Sequence, residues 1–88
     1  MSDAYFLYIL RSTVRSRHYI GISRNPTKRL DQHNAGTMRS TKGYRPWVLL
    51  YKEPHNDKTS ARKREIFLKK TARARTELFS ELEKGPIV

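Results

Sequence analysis

Five residues of this chain carry the side-chain types that cutting a phosphodiester requires. Tyr8 stands in one apolar run, Tyr19 opens a Tyr-Ile-Gly sequence in the next, Arg29 and His33 follow, and Glu65 lies much further along. Such a reaction needs an activated water, charge stabilisation at phosphorus and relief of charge on the departing oxygen. A phenol pair, an imidazole, a guanidinium and a lone carboxylate offer a candidate for each, with a metal assisting. Free tyrosine titrates near pH ~10, so a tyrosine acting as base needs neighbouring cations to lower its pKa, and Arg29, His33 or a bound metal would do so. The same neighbours could leave each tyrosine a plain hydrogen-bond donor to phosphate.

Every one of these residues also has an ordinary structural reading. Tyr8 could be a core aromatic, Tyr19 a strand residue, and Gly21 the mark of a bulge or of close packing. Arg29 and His33 could be solvated polar groups. Glu65 could pair with Lys69 one helical turn on, worth only about 0.3 to 0.5 kcal/mol.

The elements that must position these groups follow from patterning. Ala4 to Arg11 is apolar on both alternating sets, with Tyr5, Leu7 and Ile9 against Phe6, Tyr8 and Leu10, as in a central strand. Ser12 to Arg17 is a polar connector and His18 to Ile22 a second strand, so an antiparallel hairpin brings Tyr8 near Tyr19. Asn25-Pro26 starts a helix, with Asn as N-cap and Pro in the first turn, and Gly36 stops it. On that helix Arg29 and His33 lie one turn apart on the same side, able to act on one group. Thr37 to Pro46 reads as an exposed basic loop in which Arg39, Lys42 and Arg45 are candidate contacts to nucleic-acid phosphates. Trp47 to Lys52 is a third strand and Glu53 to Asp57 a turn. A helix capped by Asp57 or Thr59 runs to about Thr71, and a last one from Arg73 to Lys84 ends before Gly85-Pro86. Ala61, Leu68 and Ala72 share one stripe of the longer helix. Glu65 falls on the same stripe, and an inward carboxylate requires a hydrogen-bond partner or a metal.

The 88 residues suffice for one domain, residues 1–88, with a thin core. Nineteen Lys and Arg against 8 Asp and Glu give a net charge of +11, which in so short a chain points to a polyanion, with nucleic acid as the default partner. There is no cysteine, which excludes disulfides and thiolate zinc sites and fits a reducing compartment. No apolar run reaches the ~18 residues of a membrane span and no signal peptide is visible, so a cytoplasmic protein without membrane contact is expected. The oligomeric state is left open.

Leu7-Tyr8-Ile9-Leu10, Tyr19-Ile20-Gly21, Arg29 with His33, and then Glu65, in this order, resemble the GIY-YIG nuclease superfamily. Thr41 to Pro46, Arg64-Glu65 and Lys69-Lys70 are similar to its small stand-alone, UPF0213-like members, and the resemblance runs from Tyr5 to Arg75. It implies an α/β (α+β) fold in which a small three-stranded antiparallel sheet is flanked by helices, and a DNA endonuclease that uses one divalent cation, Mg2+ or Mn2+, held by Glu65. Tyr8 and Tyr19 would orient or deprotonate the attacking water, Arg29 would hold the scissile phosphate, and His33 would accept a tyrosine's proton. Lys69 and Lys70, for their part, read as phosphate-positioning or merely solvated groups. The first motif reads Leu-Tyr where the family has Gly-Ile-Tyr, no assisting Asn follows Glu65, and Thr71 stands where similar small proteins often carry Trp. With no second domain expected to select a target, the loops or a partner protein would do so. The alternatives are a non-catalytic nucleic-acid-binding module of the same fold and a structural protein of a ribonucleoprotein.

Overall fold

Strand β1 (Tyr5–Ser12) is buried on both faces: Leu7, Tyr8, Ile9 and Leu10 have no exposed surface, and the rest of the chain is arranged to cover them. The computed structural model describes residues 4–84, and the Gly85-Pro86 stop lies outside the described residues. After β1 come β2 (His18–Ser23), α1 (Pro26–Asn34), α2 (Arg39–Lys42), β3 (Trp47–His55), α3 (Lys58–Lys70) and α4 (Ala72–Glu83). The sheet order is β2-β1-β3, antiparallel throughout, so the strand with two apolar faces is the central one.

The alternation of β1 divides the core in two. Leu7 and Ile9 pack with Ile20 and Leu68 under α3 and α4, while Tyr8 and Leu10 pack with Trp47, Tyr19 and Leu30 under α1. Opposite Ile9 and Leu10 the register of β3 jumps from Tyr51 to Leu49, a bulge that leaves Leu50 without a direct partner. Leu50 and Tyr51 both join the α3–α4 side as a result, and Leu49 the other.

Several boundaries differ from the sequence reading. β3 runs through Glu53 to His55 instead of turning there, because β3 is an edge strand and tolerates Pro54, which pairs in register with Phe6. Ala72 is exposed and off the Ala61–Leu68 stripe, since α3 ends at Lys70 and α4 starts afresh at Ala72. The stretch from Thr37 to Pro46 is not merely an exposed loop. It contains α2, whose Thr41 is 2% exposed and accepts the Trp47 Nε1 hydrogen on its carbonyl at 2.9 Å. Other expectations hold locally: the Asn25 side chain accepts from Lys28 N, and Asp57 caps α3 by accepting from Ser60 N.

Candidate active site

The β1–β2 register places Tyr8 opposite Gly21 and Leu10 opposite Tyr19, so both tyrosines project from the face that α1 covers. Their ring centroids are 6.1 Å apart. Gly21 is what permits this: a Cβ there would come within 2.8 Å of Tyr8 Cζ and Oη and 2.9 Å of Tyr19 Cε1. The glycine of Tyr-Ile-Gly is therefore the floor on which two rings lie.

Behind Tyr8 stands His33, on α1 and wholly buried. Its Nε2 is 3.2 Å from the Tyr8 hydroxyl and its Nδ1 is 2.9 Å from Thr41 Oγ1. Thr41 Oγ1 also lies 3.4 Å from the Met38 carbonyl, to which it donates. The proton order that satisfies every group has His33 Nδ1–H donating to Thr41 and the Tyr8 hydroxyl donating to Nε2. Burial lowers the pKa of His33 below 6.5, and the charge of Arg29 adds to this, so the imidazole is neutral at pH 7. Tyr19 packs against the same ring, with centroids 4.5 Å apart.

Tyr8 corrects the sequence reading in sign. Burial pushes its pKa up to about 12, Tyr19 contributes to the rise, and Arg29 opposes it without prevailing. Tyr8 is a neutral phenol, so any proton leaving it must pass to an acceptor already in place, and His33 Nε2 is the group that touches it. Arg29 and His33 do act on one group, the Tyr8 hydroxyl, whose pKa rise Arg29 opposes and whose oxygen lies 3.2 Å from His33 Nε2, but they reach it from different sides. Arg29 lines the open cleft, steered by Nη1 donating to Gln32 Oε1 at 2.9 Å, while His33 sits beneath the tyrosine.

The cleft itself has a volume of about 530 Å³, with Tyr8, Tyr19, Gly21 and Ser23 from the sheet, Arg29 from α1, and Lys58, Arg62 and Glu65 from α3. Glu65 is its sole carboxylate. The Glu65 side chain is 16% exposed, and Oε2 accepts from Lys69 Nζ at 3.0 Å, so the cleft-facing and the ion-pair readings of this residue both describe it. Among the described residues no three His, Cys, Asp or Glu converge. The side-chain groups of the cleft that could ligate a cation are oxygens: Glu65, the phenols of Tyr5, Tyr8 and Tyr19, and Ser23.

The other candidates lie elsewhere. Lys42 and Arg45 line a separate recess with Asn34, and Arg45 is engaged there, its Nε donating to the Lys42 carbonyl at 2.8 Å. Arg39 and Lys70 are exposed, and Lys69 borders the cleft through its bond to Glu65. The cations that do line the cleft are Arg24, Arg29, Lys58 and Arg62, of which the sequence reading singled out Arg29.

Three further groups escaped the sequence reading. Thr41 fixes the His33 tautomer. Asn34 clamps α1 to β3, accepting from Trp47 N at 2.6 Å and donating to the Trp47 carbonyl at 2.9 Å. Glu53 accepts from His55 Nε2 at 2.7 Å, Tyr51 Oη at 2.8 Å and Arg64 Nε at 3.1 Å, tying β3 to α3, the helix that carries Glu65. Only a structure could show these pairings, since none has a periodic or motif signature.

A tyrosine-lined sheet face closed by one helix and flanked by another defines a class of catalytic domain: residues 4–78 match the model of the GIY-YIG catalytic domain, and the chain belongs to the GIY-YIG family. More particularly, it is similar over most of its length to UPF0213 proteins. It is 36% identical over 86 residues to UPF0213 protein DP2720 of Desulfotalea psychrophila, covering 93% of this chain and 76% of that one. With UPF0213 protein SG0387 of Sodalis glossinidius it shares 32% over 83 residues, covering 93% and 77%. The solution structure of UPF0213 protein BH0048 from Bacillus halodurans superposes with a TM-score of 0.56 at 25% identity, over 94% of this chain and 88% of that one. A shorter alignment reaches structure-specific endonuclease subunit SLX1 of Chaetomium globosum, 46% identical over 52 residues, 52% of this chain. The chain spans only 16% of that relative's length. Among the described residues no helix is long and apolar enough to cross a membrane.

Proposed function

We propose that the chain is a divalent-metal-dependent endonuclease hydrolysing phosphodiester bonds in DNA. The observation that carries this reading is the buried line Thr41–His33–Tyr8 opening onto a basic cleft that contains one carboxylate. It is supported by membership of a family of catalytic domains and by the likeness to a protein named a structure-specific endonuclease subunit.

A DNA phosphate entering the cleft meets Arg29, whose planar fork holds two of its oxygens. The Tyr8 hydroxyl orients the attacking water on the sheet side. As the water's proton moves to Tyr8 Oη, the phenol's own proton passes to His33 Nε2, leaving the tyrosine neutral throughout, as a pKa of about 12 demands. The depressed pKa of His33 keeps Nε2 open as an acceptor at neutral pH. Tyr19 donates to the phosphate from beside Tyr8 on the same face of the sheet. Glu65 would hold Mg2+ or Mn2+ as the one protein carboxylate, with waters and phosphate oxygens completing the shell, and the all-oxygen donor set of the cleft suits such hard cations. When bound, the cation supplies positive charge at the phosphate and departing oxygen. Arg24, Lys58 and Arg62 attract the flanking backbone.

One observation favours a second reading, a non-catalytic nucleic-acid-binding module: Lys69 already places a cation on the Glu65 carboxylate. Cleavage of labelled single-stranded, duplex, nicked and branched DNA, with Mg2+ or Mn2+, separates the two. Metal-dependent cutting by the native protein that Glu65→Gln loses while retaining salt-sensitive binding supports the endonuclease. Equal binding by both proteins with no cutting by either supports the module.

A further inference from the structure

The end of β3 and the first turn of α3 bring together a hydroxyl, an imidazole and a carboxylate. Ser60 Oγ lies 2.9 Å from His55 Nδ1, and His55 Nε2 lies 2.7 Å from Glu53 Oε2. None of the three lines the cleft. Alternation along β3 puts Glu53 and His55 on one side of the strand, and Asp57 caps α3 so that its third residue, Ser60, reaches back to His55.

The order of protons along this line is dictated from one end. An ionised carboxylate only accepts, so His55 Nε2 carries the ring's hydrogen, and Nδ1 of the neutral imidazole is left to accept from the Ser60 hydroxyl. Glu53 is itself held by Tyr51 Oη and Arg64 Nε, and the side chains of His55 and Glu53 are only 16% and 17% exposed, so the base is oriented by a group that cannot swing away. Ser60, by contrast, is exposed. An accessible hydroxyl, a base touching it and a shielded carboxylate orienting the base form the arrangement that activates serine for covalent catalysis. Ser16, Ser40 and Ser80 are exposed as well, but none of them is hydrogen-bonded to an imidazole among the described residues.

The geometry points to Ser60 as the nucleophile of a second hydrolytic site, one that opens small activated carboxylic esters through an acyl-serine, with His55 as the base and Glu53 as the residue that positions it. Ser60 Oγ attacks the carbonyl carbon while its proton passes to His55 Nδ1. The carbonyl oxygen, now negative, is met by the first turn of α3. There Ser60 N–H is spent on Asp57 Oδ1, whereas the amides of Lys58 and Thr59 have no partner within the helix. The bond to the alcohol oxygen breaks as His55 returns the proton to it, leaving Ser60 acylated. A water gives a proton to the same nitrogen and attacks the acyl carbon, and Ser60 Oγ leaves with that proton, so that ester and water become acid and alcohol. Because Ser60 is exposed, nothing grips a long acyl chain, and the class this site fits is small esters with good leaving groups, such as aryl acetates. The site stands independently of the endonuclease reading.

The test treats the whole native protein with an alkyl fluorophosphonate, which bonds through phosphorus to an activated serine oxygen and releases fluoride, and maps the adduct by mass spectrometry. Ser60 is expected to be labelled about 100-fold faster than Ser16, Ser40 and Ser80, which serve as controls within the same molecule. With p-nitrophenyl acetate the native protein should release p-nitrophenol through repeated turnovers, and Ser60→Ala, which leaves the backbone cap of α3 in place, should lose about tenfold or more of that rate. Glu53→Gln should slow the labelling of Ser60 by about 100-fold, because the amide can donate to His55 Nε2 and reverse the tautomer. Nitrogen NMR of the His55 ring reads that change directly, with the hydrogen expected on Nε2 in the native protein and on Nδ1 in Glu53→Gln. Adducts spread evenly over the exposed serines, adducts on His55 or lysine in place of Ser60, ester hydrolysis undiminished in Ser60→Ala, or a ring hydrogen found on Nδ1 in the native protein would overturn the proposal.

Discussion

At the scale of single residues, the site depends on one missing side chain and one buried ring. Gly21→Ala would push a methyl group into Tyr8 and Tyr19 at 2.8 and 2.9 Å, and the Tyr8 ring, wholly buried, has no room to retreat. We expect a loss of about 100-fold in kcat from displaced tyrosines and a destabilisation of about 1–3 kcal/mol, read by single-turnover cleavage and urea unfolding. The proton path gives a pH signature. His33 titrates below 6.5 and must be neutral to accept, so the acid limb of the rate profile should fall below pH 6.5, and Tyr8 should add no alkaline limb short of about 12. His33→Gln should cost about 100-fold or more and remove that acid limb; a limb that persists would assign the proton to another group. The catalytic candidates were visible in the sequence because Tyr8, Tyr19, Arg29, His33 and Glu65 follow one another in the order of the family's motif, arginine itself being abundant in the chain. The direction of the Tyr8 pKa was not, because it depends on burial, which the neighbouring arginines in a linear sequence do not disclose.

At the scale of elements, α3 is held to the sheet by Glu53, and this attachment should show in stability against pH. Burial alone would raise the Glu53 pKa, but hydrogen bonds from His55 and Tyr51 and the charge of Arg64 outweigh it, so the folded value lies below the ordinary 4.5. A depressed carboxylate stabilises fully above its unfolded pKa and loses that contribution as pH falls through the folded one, so the stabilisation should fade below pH 4.5. Glu53→Gln should lower stability at pH 7 by about 1–3 kcal/mol and flatten the dependence below 4.5, as measured by urea unfolding across pH. Strand and helix identities were legible from alternation in β1, from Asn25-Pro26 and from Asp57. The end of β3 was not, since Pro54 reads as a breaker unless the strand is known to lie at an edge. Nor was α2, because four residues with one buried threonine carry no period.

At the scale of the whole molecule, charge and topology govern behaviour. With +11 net charge and four cations lining the cleft, DNA affinity should fall steeply with salt, log Kd against log salt having a slope of about 0.9 per phosphate contacted. Arg62→Ala should reduce that slope by about 1, whereas Arg45→Ala, whose guanidinium is spent on backbone carbonyls in the separate recess, should leave it nearly unchanged; a fluorescence anisotropy salt titration distinguishes them. The central strand has a consequence for how the chain is made. Among the described residues β1 is the first element, yet its second partner, β3, begins at Trp47. During synthesis the hairpin of β1 and β2 emerges from the ribosome with one long apolar edge unpaired, and that edge stays open until α1, α2 and β3 have followed it. Nascent fragments that stop before Trp47 are the ones a chaperone would recognise, since a stall there leaves an apolar strand edge open to pairing with other chains.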